Sequence, residues 1–237
     1  MFQWNKIVIC CCAGRGWTIP ENIKFLCASA RASGIKVELH ADFCRIAAEH
    51  PEMLREMAAS GQVLIGGCLS RAMKSIFTAA GAALPATFLD LRSTRLTPEK
   101  LRELGIEPVE ATGAEPELPV AGDGWSAWFP VIDRERCINC GKCLDFCLFG
   151  VYDFNAEKQV CVVNPANCKN NCPACARVCP RQAVIFPKYD APPVNGAEVD
   201  ESKVSSGSEK NETDLYKILA ERKKLARKLF RDKDSKE

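Results

Sequence analysis

Short apolar runs alternate with amphipathic stretches over the first hundred residues, a rhythm of repeated βα units that predicts a mostly parallel sheet. The runs are Lys6 to Cys10, Lys36 to His40, Gln62 to Ile65 and Ala86 to Leu91. Between the first two, Thr18 and Glu21 stand at capping-box spacing, Pro20 suits a first turn and Gly34 a stop, which predicts a helix from about Ile19 to Ser33. Asp42 is placed to cap a second helix that Pro51 kinks or restarts and that ends near Gly61. Ser70 is placed to cap a third through Ala80, and Thr97 with Pro98 opens a short fourth closed by Gly105. Residues 1–110 therefore read as an α/β domain.

The pattern then changes. Residues 111–130 are a connector broken by prolines and glycines, with Trp125, Trp128 and Phe129 available to pack it against either neighbour. Residues 131–189 are too short to rely on a large apolar core. Residues 190–211, rich in Pro, Gly, Ser and Glu, read as a flexible linker. In residues 212–237, Leu215, Ile218, Leu219, Leu225, Ala226 and Leu229 recur at helical spacing with basic residues between them. This predicts an amphipathic basic helix that docks on its own protein or on a partner, with a membrane-surface role the weaker third reading because Asp232, Asp234 and Glu237 dilute the basic charge.

Composition adds one anomaly to this picture: 15 of 237 residues are cysteine. Apolar content of 47% with 26% charged residues excludes a wholly disordered chain, and a net charge of +2 with both signs mixed excludes a dedicated nucleic-acid binder. The start has no secretory pattern and no run of about 18 apolar residues occurs, so a cytoplasmic, reducing address and no transmembrane segment are expected. Such a compartment disfavours disulfides and turns the cysteines toward metal or redox chemistry. With only His40 and His50 available, a histidine-rich site or a hydrolytic triad is poorly supplied.

The spacings decide which chemistry. Cys137-x2-Cys140-x2-Cys143-x3-Cys147 is followed by Cys168-x3-Cys172-x2-Cys175-x3-Cys179-Pro180. Three cysteines spaced by two residues turn their thiolates into one cubane, and the fourth reaches the other cubane. On that pattern Cys137, Cys140, Cys143 and Cys179 hold one [4Fe-4S] cluster, and Cys168, Cys172, Cys175 and Cys147 the other. Zinc sites more usually pair two C-x2-C knuckles than run to four cysteines ending in Cys-Pro. Ile138, Phe146, Val184 and Ile185 are expected to wrap the cubanes, and Cys161 is expected to be a buried strand residue.

The segment resembles the bacterial two-cluster [4Fe-4S] ferredoxins over about residues 131–189. It departs from them in Leu148 after Cys147, where proline is usual, and in the extra residue of the Lys169-Asn170-Asn171 gap. Neither departure removes a ligand.

In the first domain Cys10, Cys11 and Cys12 end the first strand, Cys44 follows the second and Cys68 the third. The carboxyl ends of parallel strands share one sheet edge, where open α/β sheets place ligands, so Cys10, Cys12, Cys44 and Cys68 supply four thiolates for a third cluster. Cys11 alternates to the opposite face, Cys27 belongs to the helix core, and small buried strand-end cysteines without metal are the competing reading. Gly14 and Gly16 read as turn glycines, and Arg15 and Arg71 sit near the proposed edge or on the surface. Val8 to Gly14, Cys44 and Val63 to Arg71 give residues 5–92 a resemblance to the amino-terminal domain of the heterodisulfide reductase A subunit family. That resemblance implies anaerobic electron transfer with a flavin-containing partner complex. Here a ferredoxin module takes the place of the family's flavin-binding domain.

The expected fold class is thus an α/β parallel-sheet domain, then a small α+β ferredoxin-like two-cluster domain, then a C-terminal helix. The expected function is iron-sulfur electron transfer as subunit or shuttle of a heterodisulfide-reductase-type complex. A catalytic reductase subunit using the N-terminal cluster, and an iron-sulfur redox sensor, stay open as alternatives.

Overall fold

The computed structural model describes residues 4–13, 16–59, 61–82, 87–110, 116–120, 122 and 124–204. Strands β1 (Lys6–Cys10), β2 (Lys36–His40), β3 (Val63–Gly67) and β4 (Thr87–Asp90) form one parallel sheet in the order β2-β1-β3-β4. The chain leaves β1 toward β2 and returns to build β3 on the other side. The topological switch point therefore lies between β1 and β3.

Period-two alternation divides β1 between two cores. Val8, Cys10 and the following Cys12 enter one, while Ile7, Ile9 and Cys11 enter the other. Helices α2 (Phe43–Glu49), α3 (Pro51–Ala59) and α4 (Ser70–Ala79) cover the first face through Phe43, Leu54, Met73 and Phe77. Helices α1 (Pro20–Ala32) and α5 (Pro98–Glu103) cover the second, α1 through Ile23, Leu26, Cys27 and Ala30 at helical spacing. Each fully buried aliphatic or aromatic side chain contributes about 1.5–3 kcal/mol to this three-layer packing.

The local signals account for most boundaries. The Asp42 carboxylate accepts from the Cys44 and Arg45 amides at 2.9 and 3.3 Å, and Thr97 Oγ1 accepts from the Lys100 amide at 3.3 Å. Pro51 restarts a separate helix instead of kinking one. Two expected caps are corrected. Thr18 is buried and its hydroxyl donates to the Cys11 carbonyl, satisfying a strand-end acceptor, so Ile19 takes the N-cap place without a side-chain bond. Ser70 is the first helical residue of α4, after Leu69 at the N-cap.

The second half repeats one unit twice. Strand β5 (Val131–Ile132), α6 (Lys142–Phe146) and β6 (Tyr152–Phe154) are followed by β7 (Val160–Val162), α7 (Ala174–Arg177) and β8 (Val184–Ile185). The outer strands β5 and β8 pair antiparallel, as do the inner strands β6 and β7. Trp128 stacks on Phe186 inside this unit, while Trp125 stacks on Phe129 and packs on the first core.

The two halves share that first core, which takes in Ala127, Phe129, Val131 and Ile185. Two cations, Lys188 buried and Arg71 largely so, also cross between them. Arg71, at the start of α4, bridges Asp133 at 2.7 Å and donates to the carbonyls of Gln182, Pro193 and Ala197. Lys188 crosses in the opposite direction to Asp42 and the Ser126 carbonyl. The described part of the expected linker is accordingly a turn-rich segment bound to α4, with a short 3-10 turn at Glu201–Lys203. The expected helix over 212–237, like Gly14 and Arg15, lies outside the described residues. Among the described residues no helix is long and apolar enough to cross a membrane.

Candidate metal centres

Three cysteine quartets assemble from the elements just described. In the second half, one cavity wall contains Cys137, Cys140, Cys143 and Cys179, and a separate cavity of about 260 Å³ is lined by Cys147, Cys168, Cys172 and Cys175. The two motifs are therefore interleaved: the last cysteine of each run faces the first three of the other. The backbone makes this possible at left-handed residues, Asn139 (φ 53°) and Gly141 (φ 77°) in the first loop and Asn171 (φ 60°) in the lengthened second loop. Asn tolerates that conformation better than most side chains, which lets the extra residue be absorbed as a turn.

Burial pushes the Cys143 thiol up to about 12, reinforced by Cys175 and Cys179. Cys168 is likewise pushed up to about 12, by burial and then by Cys147 and Cys172. Such thiols ionise together only beside strong positive charge, which is what a bound cluster supplies. Polar contacts already aim at the sulfurs: Tyr152 Oη donates to Cys175 Sγ at 3.0 Å and the Ala183 amide to Cys179 Sγ at 3.2 Å. The donor set and its hydrogen bonds fit [4Fe-4S] clusters. Ile138 and Val184 line the first cavity and Phe146 the second. Ile185 does not: strand alternation turns it into the first core, against the N-terminal half. Cys161 is half-buried on β7 and accepts from Arg134 Nη2 at 3.3 Å, outside both quartets.

The third quartet lies at the switch point. Cys10 ends β1, Cys12 follows it in a left-handed turn (φ 48°), Cys44 stands in the first turn of α2, and Cys68 follows β3. All four are buried in the same core. Cys44 feels Cys68 and Cys10, and Cys10 feels Cys12 and Cys68, closely enough to oppose one another's ionisation beyond the effect of burial. Burial foremost, then Cys12, takes Cys68 up to about 12. A Cβ at Gly67 would stand 3.1 Å from Cys10 Cβ and 2.8 Å from Met73 Sδ, so glycine there keeps the wall beside Cys10 thin. The Phe43 amide donates to Cys10 Sγ at 3.3 Å. Cys11 and Cys27 share the opposite core.

Two charged groups that no sequence signal ranked, Lys188 and Arg92, lie beside this quartet. The Lys188 ammonium, 4% exposed, is held by Asp42 beside Cys44 and Cys12. Arg92, just beyond β4, lies near Cys12 and Cys68, stacks over the Trp17 ring at 3.9 Å and has a buried Nη1 without a hydrogen-bond partner. His40, opposite Cys10 in the β1–β2 register, also has a buried unpartnered Nε2, and burial lowers its pKa, favouring the neutral ring. The orphaned buried N–H of Arg92 beside these thiols fits an acceptor-rich inorganic sulfide group. Among the described residues no three His, Cys, Asp or Glu side chains converge on a single-ion site.

Comparison with known proteins bears on the second half. Residues 129–210 match the family model described as a 4Fe-4S dicluster domain. An uncharacterized ferredoxin of Methanocaldococcus jannaschii is 46% identical over 67 residues, 28% of this chain and 45% of that protein. Ferredoxin-3 of a Nostoc species is 35% identical over 82 residues, 27% of this chain and 84% of its own. The pyruvate synthase subunit PorD of Methanothermobacter marburgensis is 33% identical over 60 residues, 25% of this chain and 67% of its own. The chain thus spans less than half the length of the first of these relatives and most of the second. No solved structure matches the chain. Through its second half, the chain belongs to the 4Fe-4S dicluster ferredoxins, iron-sulfur proteins of electron transport that carry two [4Fe-4S] clusters.

Proposed function

We propose that this protein passes single electrons between three iron-sulfur centres as a subunit or shuttle of a larger redox enzyme. In the dicluster half, Cys137, Cys140, Cys143 and Cys179 hold one cluster and Cys168, Cys172, Cys175 and Cys147 the other, a crossed ligation supported by the two interleaved quartets. Cys10, Cys12, Cys44 and Cys68 hold the third. The observation that carries this third centre is the convergence of four buried cysteines from three strand ends at the switch point of the sheet. Residues 1–110 then act as a cluster-bearing α/β domain docked on a ferredoxin domain.

Clusters supply one-electron chemistry without bond breaking. The chain's own residues do the rest: thiolates anchor, and the Tyr152 hydroxyl and the Ala183 and Phe43 amides donate to sulfur. The PorD relative supports a subunit role in an oxidoreductase. The cysteine-tipped strands and their resemblance to the heterodisulfide reductase A subunit support a flavin-containing complex of that type as the redox partner.

The test is iron and acid-labile sulfide per chain after anaerobic purification and full reconstitution. About 12 irons supports three cubanes and about 8 removes the third. Cys68→Ser should cost about 4 of the 12 irons and leave the dicluster spectrum intact, and unchanged iron would refute its ligand role. Cys179→Ser should disturb the centre on Cys137, Cys140 and Cys143; damage confined to the other centre would refute the crossing.

A further inference from the structure

The third centre sits among three charges of unequal effect. Lys188 is paired with Asp42, so its charge at Cys44 and Cys12 is largely cancelled within one hydrogen-bond length. Arg92 has no acidic partner among the described residues. Asp90 Oδ1 is occupied by the backbone amides of Arg92 and Ser93, at 2.7 and 3.0 Å, which fixes where the arginine leaves the strand. The Trp17 ring then lies under the guanidinium at 3.9 Å, and Nη1 is buried with no acceptor.

From these observations we infer that Arg92 is the positioning residue that sets the reduction potential of the N-terminal centre, an inference that rests on that centre being a cluster. Reduction adds one electron and one negative charge to the centre and breaks no bond. A fixed cation near Cys12 and Cys68 stabilises the reduced form more than the oxidised form. Burial of Nη1 away from water strengthens the effect, and at Cys68 the guanidinium outweighs the opposing charge of Asp90. The N-terminal centre is thereby tuned above the potential it would have from its thiolates alone. Lys188 also reaches Cys44 and Cys12, but Asp42 opposes it at both sulfurs.

The experiment is a dithionite titration of the full chain followed by electron paramagnetic resonance, with iron counted in each sample. In Arg92→Gln the reduction equilibrium of the N-terminal centre should fall at least ten-fold, 59 mV for a one-electron couple, while the other two centres stay put. Arg92→Lys, which keeps the charge and loses the fork, should retain more than half of the wild-type shift. A Gln variant within two-fold of wild type overturns the role, as does a Lys variant equal to Gln or loss of four irons from both variants. Eight irons in the wild type is a different failure: it removes the cluster itself and leaves the arginine without the task.

Discussion

Replacing Arg71 with methionine removes the largest polar contact between the two halves at nearly constant side-chain volume. The guanidinium and the Asp133 carboxylate are 12% and 11% exposed and 2.7 Å apart. At an effective dielectric constant of about 20 that separation corresponds to roughly 6 kcal/mol of attraction, most of which offsets the desolvation of the two ions. The variant keeps the buried aspartate and loses its partner, and it strips a donor from the carbonyls of Gln182, Pro193 and Ala197. Breaking a buried pair from one side costs about 3–5 kcal/mol. For a chain of this size that lowers the melting midpoint by about 6–20 °C. Lys74 and Glu135 bridge the same boundary, but their side chains are 44% and 73% exposed, so Lys74→Met should cost no more than about 1 kcal/mol. The assay is anaerobic thermal unfolding followed by circular dichroism and by cluster absorbance. A midpoint shift for Arg71→Met no larger than that for Lys74→Met would falsify the account of the interface.

Other predictions address single contacts. In Gly196→Ala the new methyl would lie 2.5 Å from Ala72 Cβ and 2.9 Å from its amide nitrogen at a φ of 97°, so about 2–4 kcal/mol should be lost and residues 190–204 should become cleavable by protease. Tyr152→Phe removes a hydrogen bond to Cys175 Sγ, and the centre on that cysteine should become harder to reduce while its iron content holds; an unchanged potential would show the hydroxyl to be structural. Cys27→Ala, in the opposite core, should leave iron unchanged and cost about 1 kcal/mol for the lost sulfur packing, read by chemical denaturation.

The sheet and its sites were legible where the chain speaks locally. Alternation along Val8-Ile9-Cys10-Cys11 places Cys10 and Cys11 on opposite faces, and Asp42 before Phe43 caps a helix as such a residue should. Thr18 had an equally good local pattern and lost it to the nearby Cys11 carbonyl, a partner that no helix signal contains. Lys188 meets Asp42 across 146 positions and Arg71 meets Asp133 across 62, distances over which no periodicity carries information. Composition misled at 190–204, where Pro, Gly and Ser read as looseness although the carbonyls of Pro193 and Ala197 are bonded to Arg71. Arg92 escaped notice because it follows a strand as many surface arginines do, and only its buried, unmatched nitrogen distinguishes it.

Strands β5 and β8 are two residues long, and each sends one side chain each way: Val131 and Ile185 to the first core, Ile132 and Val184 toward the clusters. They are a party wall one ladder thick. Slipping either strand by a single position would exchange both sets at once, putting cluster-side residues into the sheet domain and the reverse. An inserted residue just before Val131 would therefore injure two cores through one event, whereas the same insertion in the solvent-facing turn at Glu157 and Lys158 would meet no such constraint. Variation in chain length should be excluded from this boundary far more strictly than the modest size of its strands implies.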